Sequence, residues 1–220
     1  MKFEAILFDC DGVLVDSEPI TNGVLRDMLE ESGWTLSAAE CMRFFVGKAV
    51  RDERATIERR TGQPLTEAWM QRFYERRNLE LDTRLEIIAG AHAAVQAAFG
   101  HTGKRIACAS GADRFKVEMQ LTKVGLMDFF AGNIFSGHEL PRSKPHPDVY
   151  LAAAAALGVD PAHCAVIEDS VTGARAGVAA GATVLAYCPA VGGHSAQQDL
   201  RDVGVHGFFS DMGDLPGLLR

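Results

Sequence analysis

The fold is constrained most by a regular alternation of short apolar runs with helix-like segments in the second half of the chain. From residue 105 onward, continuous apolar runs of strand length alternate with segments whose apolar residues recur at helical spacing. The strand-like runs lie at 105–110, 133–137, 164–169, 183–187 and 206–210, and a similar run occupies residues 3–8. Such alternation is typical of βαβ units, and unbroken apolar runs indicate strands covered on both faces. The sequence therefore predicts an α/β fold with a parallel sheet.

Residues 17–85 do not follow this alternation. Segments such as "PITNGVLRDMLEESG" and "LTEAWMQRFYERRNLEL" place apolar residues at helical spacing, and no strand-like run interrupts them. We therefore predict a helical domain at 17–85, inserted after the first strand of an α/β core that comprises residues 1–16 and 86–220.

Charge and cysteine content indicate which binding partners and which cellular compartment to expect. The chain has 22 Lys plus Arg against 29 Asp plus Glu, and the net charge of −7 argues against broad binding to nucleic acids or anionic membranes. No apolar run has the length of a membrane span, and the first apolar stretch runs at once into acids, unlike a signal peptide. Five scattered cysteines without a CxxC pair indicate free thiols. We expect a cytoplasmic protein, with neither nucleic acid nor a membrane as its partner.

Polar side chains stand where four of the predicted strands end. In open parallel sheets, ligands bind beyond the carboxyl ends of the strands. One serine, one lysine and four acids follow these strands: Asp9, Asp11, Ser110, Lys144, Glu168 and Asp169. Each residue alone has an ordinary explanation as a turn or helix cap, and Ser170 is itself predicted to be a cap. Their combination in this order points to a shared site.

The chemistry of these groups suggests a metal and a phosphate. Asp9 and Asp11 are two residues apart, so they face the same way if the strand geometry continues through them. Clustered carboxylates resist ionisation unless a cation lies between them, and Mg²⁺ prefers such oxygen ligands. Lys144 and Ser110 are donors that suit a tetrahedral dianion. The residues therefore indicate a Mg²⁺ site beside a phosphate site.

In these features the chain resembles the haloacid dehalogenase superfamily of aspartate-dependent phosphohydrolases. The four motifs of that family correspond to "DCDGVLVDSE", to Ser110 after "IACA", to Lys144 in "SKPHPDVY" and to "IEDSVTGARAG". The resemblance extends over essentially the whole chain. It implies a Rossmann-like core with an inserted helical-bundle cap, and a phosphatase that uses Mg²⁺.

The resemblance also implies roles for the first motif. Asp9 would be the nucleophile, because a carboxylate is already ionised at neutral pH and forms a reactive acyl phosphate. Asp11 would protonate the leaving oxygen and then take a proton from the attacking water, which requires a raised pKa. In the family this second aspartate also offers its backbone carbonyl to the metal, so both Asp9 and Asp11 are expected metal ligands.

The remaining motifs supply the other expected site residues. Asp169 would bind the metal directly, and Glu168 would bind it directly or through a water. Ser110 and the N–H of Gly111 would hold phosphoryl oxygens. Lys144 would neutralise the charge that grows during transfer.

The helical insert points to a subgroup and to a class of substrate. Dehalogenases carry a different residue at the position of Asp11, so their chemistry is not expected here. The insert is similar to the four-helix cap of β-phosphoglucomutase, phosphoglycolate phosphatase and many sugar-phosphate phosphatases. Closure of such a cap favours a small phosphorylated metabolite as the partner. The third and fourth motif regions are similar to 6-phosphogluconate phosphatases, which suggests a sugar-acid phosphate. We expect a monomer or a small homo-oligomer.

Three alternatives remain open on the sequence alone. A β-phosphoglucomutase-like phosphomutase is disfavoured because Thr21 occupies the position of a histidine in those enzymes. A phosphonate hydrolase needs a Schiff-base lysine, for which Lys48 is the sole candidate between Lys2 and Lys104. A non-catalytic phosphometabolite-binding protein would have the fold without turnover. Under the phosphatase interpretation, Lys48 and Arg51 are expected to contact the substrate.

Overall fold

A computed structural model describes residues 3–46, 48–190, 193 and 195–219 of the chain. By its internal contacts the chain divides into two compact units. The first comprises Met1–Asp16 and Glu86–Arg220, and the second is Ser17–Leu85.

Six strands form one parallel sheet in the described part of the first unit. They are β1 (Ala5–Phe8), β2 (Ile106–Ser110), β3 (Ile134–Ser136), β4 (Cys164–Glu168), β5 (Thr183–Tyr187) and β6 (Gly207–Phe209). Their order in the sheet is β3-β2-β1-β4-β5-β6. The chain runs outward from β1 to β3 and then returns to the other side of β1, which creates the switch point where ligands of such sheets bind.

Helices alternate with these strands and also build the second unit. They are α1 (Glu18–Glu31), α2 (Ala38–Phe45), α3 (Arg54–Thr61), α4 (Glu67–Arg84), α5 (Ala91–His101), α6 (Arg114–Lys123), α7 (Met127–Phe130), α8 (Asp148–Ala156), α9 (Val171–Ala179), α10 (Gln197–Asp202) and α11 (Leu215–Leu218). Short 3₁₀ turns lie at Gly137–Glu139, Pro161–His163 and Met212–Asp214. The predicted α/β fold is therefore confirmed.

The central strands are buried on both faces, as their unbroken apolar runs predict. Every residue of β1, β2 and β4 is buried. Side chains of β1, β4 and α8 meet in one apolar cluster, in which Leu7, Val166 and Tyr150 are fully buried. This packing gives the carboxyl edge of the sheet a rigid base.

The second unit is built from α1 to α4 around its own apolar cluster. Leu29 of α1 and Phe73 of α4 are buried in that cluster, and α1 packs against both α2 and α4. Ser37 and Glu40 form a capping box at the start of α2, and Thr66 caps α4. These four helices make up most of the unit Ser17–Leu85.

Two further predictions concern cysteines and membrane spans. All five cysteines are buried free thiols. Among the described residues, no helix has the combination of length and apolar character that crossing a membrane requires.

Candidate active site

The register of the central strands brings the ends of β1, β2 and β4 to one edge of the sheet. Phe8 on β1 is level with Cys108 on β2 and with Ile167 on β4. The backbone N–H of Asp9 donates to the carbonyl of Ile167 at 3.0 Å. Asp9 is therefore fixed directly beyond β1, beside Glu168 at the end of β4.

The chain turns immediately after Asp9. The carbonyl of Cys10 accepts a hydrogen bond from the N–H of Leu14 at 2.9 Å, and Gly12 has a φ of 78°, which glycine adopts readily. Strand geometry therefore ends before Asp11. The reason for expecting the side chains of Asp9 and Asp11 to face the same way is thereby removed.

Three buried carboxylates gather at this edge. Asp9, Glu168 and Asp169 each offer an oxygen, and these oxygens lie within 4.8 Å of one another. Asp11 is not part of this group. The arrangement brings together the side chains of three of the four predicted metal-binding residues.

Lys144, in the loop that follows β3, donates hydrogen bonds to two of these acids. Its Nζ donates to Oδ1 of Asp9 and to Oε1 of Glu168, each at 2.7 Å. The ammonium also lies 4.8 Å from the centre of the Tyr150 ring, a cation–π distance. The predicted lysine of the site is thus in direct contact with the predicted nucleophile.

Glu168 is fully buried, and both of its oxygens accept hydrogen bonds. Oε1 accepts from Lys144 and, at 2.9 Å, from the hydroxyl of Tyr150. Oε2 accepts from the backbone N–H of Asp169 and from both the N–H and the hydroxyl of Ser170, at 3.0 to 3.1 Å. Five donors occupy all of the roughly four acceptor positions of a carboxylate. Glu168 is therefore an anchor for its neighbours.

The ionisation of these groups follows from burial and crowding. Burial raises the pKa of Asp9 well above its ordinary value; Lys144 opposes this shift, and the neighbouring acids reinforce it. Burial alone would lower the pKa of Lys144, but Asp9 and Glu168 outweigh it and hold that pKa well above its usual range. Although burial opposes it, the pKa of Glu168 is lowered, because Lys144 and the hydrogen bonds favour its ionised form. One ammonium does not balance three acids, so the group suits an additional cation.

Asp11 is held by the first two turns of α6. Nζ of Lys116 and Nε2 of Gln120 donate to the same oxygen of Asp11, Oδ1, at 2.8 and 2.9 Å. Lys116 and Gln120 are both buried. Asp11 thus has a separate set of partners beside the carboxylate group.

Ser110 and Gly111 lie where β2 ends, next to β1. Ser110 is buried, and its hydroxyl oxygen accepts from the N–H of Ala112 at 3.0 Å. A Cβ at Gly111 would meet its nearest neighbour, Oγ of Ser143, only at 3.8 Å. The position of both residues at this edge fits their predicted role, which stays a prediction.

The predicted substrate contacts Lys48 and Arg51 lie in the second unit. Nζ of Lys48 pairs with Oε1 of Glu53 at 3.0 Å. Arg51 makes a bidentate pair with Glu67, at 2.6 and 2.7 Å. These partners come from the same unit, and the role of both cations in substrate binding stays a prediction.

Four residues that support the site are missing from the sequence-based set: Tyr150, Lys116, Gln120 and Gly173. A Cβ at Gly173 would lie 1.6 Å from Oε1 of Glu168, so only glycine fits beneath that carboxylate. The spacing of Lys116 and Gln120, four residues apart, is a usable signal, because it places two polar groups on one face of a helix.

Comparison with known proteins decides the family. The sequence matches the model of the haloacid dehalogenase-like hydrolase family over residues 3–181, which is more than half of the chain. The chain belongs to this family. The resemblance seen in its motifs is thereby confirmed.

Two curated relatives in this family are phosphatases of Escherichia coli (strain K12). The chain is 32% identical to 6-phosphogluconate phosphatase over 188 residues, which cover 85% of this chain and 83% of that protein. It is 35% identical to hexitol phosphatase B over 181 residues, which cover 80% of this chain and 79% of that protein. The predicted enzyme class, a phosphoric monoester hydrolase, is confirmed by the family match and these relatives.

A solved haloacid dehalogenase family hydrolase from Deinococcus radiodurans R1 has a similar structure. It superimposes with a TM-score of 0.80 at 32% sequence identity, and the match covers 99% of this chain and 95% of that one. That crystal structure contains bound phosphate and sodium.

Proposed function

We propose that the protein is a Mg²⁺-dependent phosphatase that hydrolyses a small sugar phosphate or sugar-acid phosphate through an aspartyl-phosphate on Asp9. The observation that carries this proposal is the buried Asp9 carboxylate, fixed beyond β1 by Lys144 at 2.7 Å and grouped with Glu168 and Asp169. These contacts support the proposed roles, because the candidate nucleophile, the candidate cation for the phosphoryl group and the candidate oxygen ligands lie together.

In the first step, a carboxylate oxygen of Asp9 forms a bond to phosphorus, and the ester P–O bond breaks. The electron pair of that bond stays on the leaving oxygen, which takes a proton from Asp11. Lys144 faces Asp9 and would offset the charge on the phosphoryl oxygens, while Ser110 and the N–H of Gly111 would hold them.

In the second step, water attacks phosphorus and gives a proton to Asp11. The bond between phosphorus and the Asp9 oxygen breaks, so that inorganic phosphate leaves and the Asp9 carboxylate is restored. Asp11 regains the proton it gave in the first step, and the two steps together consume one water molecule.

The carboxylate group fits Mg²⁺ by the chemistry of its donors. Mg²⁺ prefers carboxylate, carbonyl and water oxygens, and Asp9 and Asp169 present carboxylates at this point. Because Glu168 already accepts five hydrogen bonds, we assign it to orienting its neighbours and to contact with the ion through water. Bound Mg²⁺ would reduce the repulsion between the nucleophile and the phosphate dianion.

The substrate class rests on the relatives and on the second unit. The relatives act, by their names, on 6-phosphogluconate and on hexitol phosphates. The helical unit Ser17–Leu85 is proposed as a cap that selects small phosphorylated metabolites. A sugar or sugar-acid phosphate is therefore the proposed substrate.

A phosphate-release panel tests the proposal. Sugar acids, sugars, glycolate and nucleotides, each as a phosphate ester, are incubated with the protein and Mg²⁺, and both phosphate and the organic product are identified. We expect turnover of a sugar or sugar-acid phosphate that EDTA abolishes and Mg²⁺ restores. Isomerisation of a sugar phosphate without phosphate release would contradict hydrolysis, and absence of turnover on every ester would contradict an active enzyme.

The variant Asp9→Asn identifies the nucleophile in the same assay. It is expected to lower turnover by roughly 10³-fold or more, because the carboxamide does not form the acyl phosphate. Asp199→Asn, the same chemical change at an exposed position of α10, is the matched control and should keep full activity. Substantial turnover by a folded Asp9→Asn protein would contradict the mechanism.

A further inference from the structure

Asp11 is held by two side chains of α6 that none of the four motifs contains. Helix α6 begins directly after the loop that follows β2, and its N-cap Asp113 accepts from the backbone N–H of Lys116 at 2.9 Å. This cap fixes the first turn of α6, from which Lys116 reaches Asp11.

Both donors converge on one oxygen of Asp11. Lys116 Nζ and Gln120 Nε2 lie 2.8 and 2.9 Å from Oδ1. Two donors, one of them charged, thus already occupy Oδ1. The proton that Asp11 gives and takes during catalysis therefore belongs on Oδ2.

The orientation of the Gln120 amide is itself fixed. Its Oε1 accepts from Sγ of Cys10 at 3.5 Å, which leaves the NH₂ group on the side of Asp11. Cys10 lies between Asp9 and Asp11 in the chain, so the same segment that carries both acids also orients the amide.

A buried lysine at this position is costly unless its charge is used. The Lys116 side chain is 8% exposed, and Asp11 is the acid to which it is paired. Together with the Gln120 amide, the ammonium holds the Asp11 carboxyl group in one orientation. An apolar residue would fill the same helix face without this effect.

We infer that Lys116 and Gln120 are positioning residues for the acid and base Asp11: they anchor Oδ1 and thereby present Oδ2 to the leaving oxygen. This inference rests on the proposed phosphatase function. It predicts that loss of the anchor impairs the step in which the leaving oxygen needs a proton.

Leaving-group dependence tests this role. An alkyl ester such as 6-phosphogluconate needs a proton on its leaving oxygen, whereas p-nitrophenyl phosphate releases a stable phenolate without one. For Lys116→Met we expect kcat/KM to fall about tenfold or more on 6-phosphogluconate and less than about threefold on p-nitrophenyl phosphate. Lys116→Arg, which keeps the charge and the donors, should recover most of the loss.

Two further variants keep the test decisive. Lys123→Met makes the same change at an exposed position of α6 and should leave both values of kcat/KM unchanged. Gln120→Met removes the second donor and should give a smaller loss of the same selective kind, whether or not Lys116→Met folds. Thermal unfolding of each variant reports its folded state.

The outcomes separate this role from the phosphatase function. A wild-type protein that cleaves no alkyl ester of the panel and no p-nitrophenyl phosphate with Mg²⁺ would contradict the proposed function and this role with it. An active wild type whose Lys116→Met and Gln120→Met variants lose equally on both esters, or lose nothing, would contradict the positioning role alone. A wild type that cleaves the aryl ester but no alkyl ester of the panel would also contradict it, since no positioned acid would be in use.

Discussion

At the scale of single residues, the site contains more acids than cations. The contacts of each cation therefore matter for the acids that it pairs with. The side chain of Lys144 is 7% exposed and bridges Asp9 and Glu168, and Lys116 is buried against Asp11. Each lysine both pairs with a carboxylate that is at least half-buried and holds it in one orientation. Removal of a cation from such a pair leaves an uncompensated buried charge, which is more damaging than loss of the attraction alone.

Lys144→Met should therefore harm both stability and activity. Glu168 would lose its cation while fully buried, and we expect the free energy of unfolding to fall by about 3–5 kcal/mol. Turnover should fall by about 10²-fold or more, because the phosphoryl charge loses its nearest cation. Urea unfolding and phosphate release measure the two effects, with Lys123→Met as the control. A variant with wild-type stability would show that Glu168 does not depend on Lys144.

The chemical residues were predictable from sequence, but their supports were not. Asp9 and Lys144 stand out because charged groups follow apolar runs at the predicted edge of a sheet. Tyr150 and Lys116 act through contacts with residues 18 and 105 positions away, and each is unremarkable within its own helix. Only the packing of α6 and α8 against the sheet brings them to the acids.

At the scale of elements, the connection between β4 and α9 positions the Glu168 carboxylate in the site. Glu168 ends β4, Ser170 caps α9 by accepting from the N–H of Gly173, and Gly173 leaves space for the Glu168 carboxylate. The predicted role of Ser170 as a helix N-cap is thereby confirmed. The connection works only if the first turn of α9 lies close against the end of β4.

Gly173→Ala tests this close approach. The added Cβ would lie 1.6 Å from Oε1 of Glu168, so the carboxylate or the helix must move. We expect a loss of about 1–3 kcal/mol in the free energy of unfolding, and a higher Mg²⁺ concentration for half-maximal activity. Gly100→Ala is the matched control, because a Cβ added at that helical glycine would have no neighbour within 4 Å. Equal behaviour of the two variants would contradict the steric account.

The elements that the sequence pattern reveals are those with a clear period. The strands lie where they were predicted, with ends that shift by at most two residues, and α6, α8 and α9 alternate with them. The pattern does not reveal α5, in which alanines surround the helix and blur its apolar face, nor α10, whose six residues are mostly polar. A short helix of this kind forms through its tertiary contacts and leaves little periodic signal.

At the scale of the whole molecule, the residues proposed for catalysis and those proposed for substrate selection lie in different units. The carboxylate group, Lys116 and Lys144 belong to the unit that contains the sheet, while Lys48 and Arg51 belong to Ser17–Leu85. Each unit has an apolar cluster of its own. Changes in the helical unit should therefore alter which ester is accepted more than how it is cleaved.

Lys48→Met and Arg51→Met test this division. If both cations contact the substrate, each variant should raise KM for 6-phosphogluconate by about tenfold and change kcat little, because binding is lost equally in the ground and transition states. Glu67→Gln removes the ion-pair partner of Arg51 and leaves the arginine in place, so KM should stay at its wild-type value. Unchanged KM in both cation variants would restrict these residues to ion pairing within the helical unit.

The transfer of the phosphoryl group to Asp9 is the claim on which the rest depends. Acid-quenching the enzyme during turnover of its best substrate, followed by digestion and mass spectrometry, measures that transfer directly. We predict a peptide that contains Asp9 and has gained one phosphoryl group, absent from the Asp9→Asn protein and from enzyme without substrate. An active enzyme that yields no such peptide, or one that carries the phosphoryl group on another residue, would contradict the account.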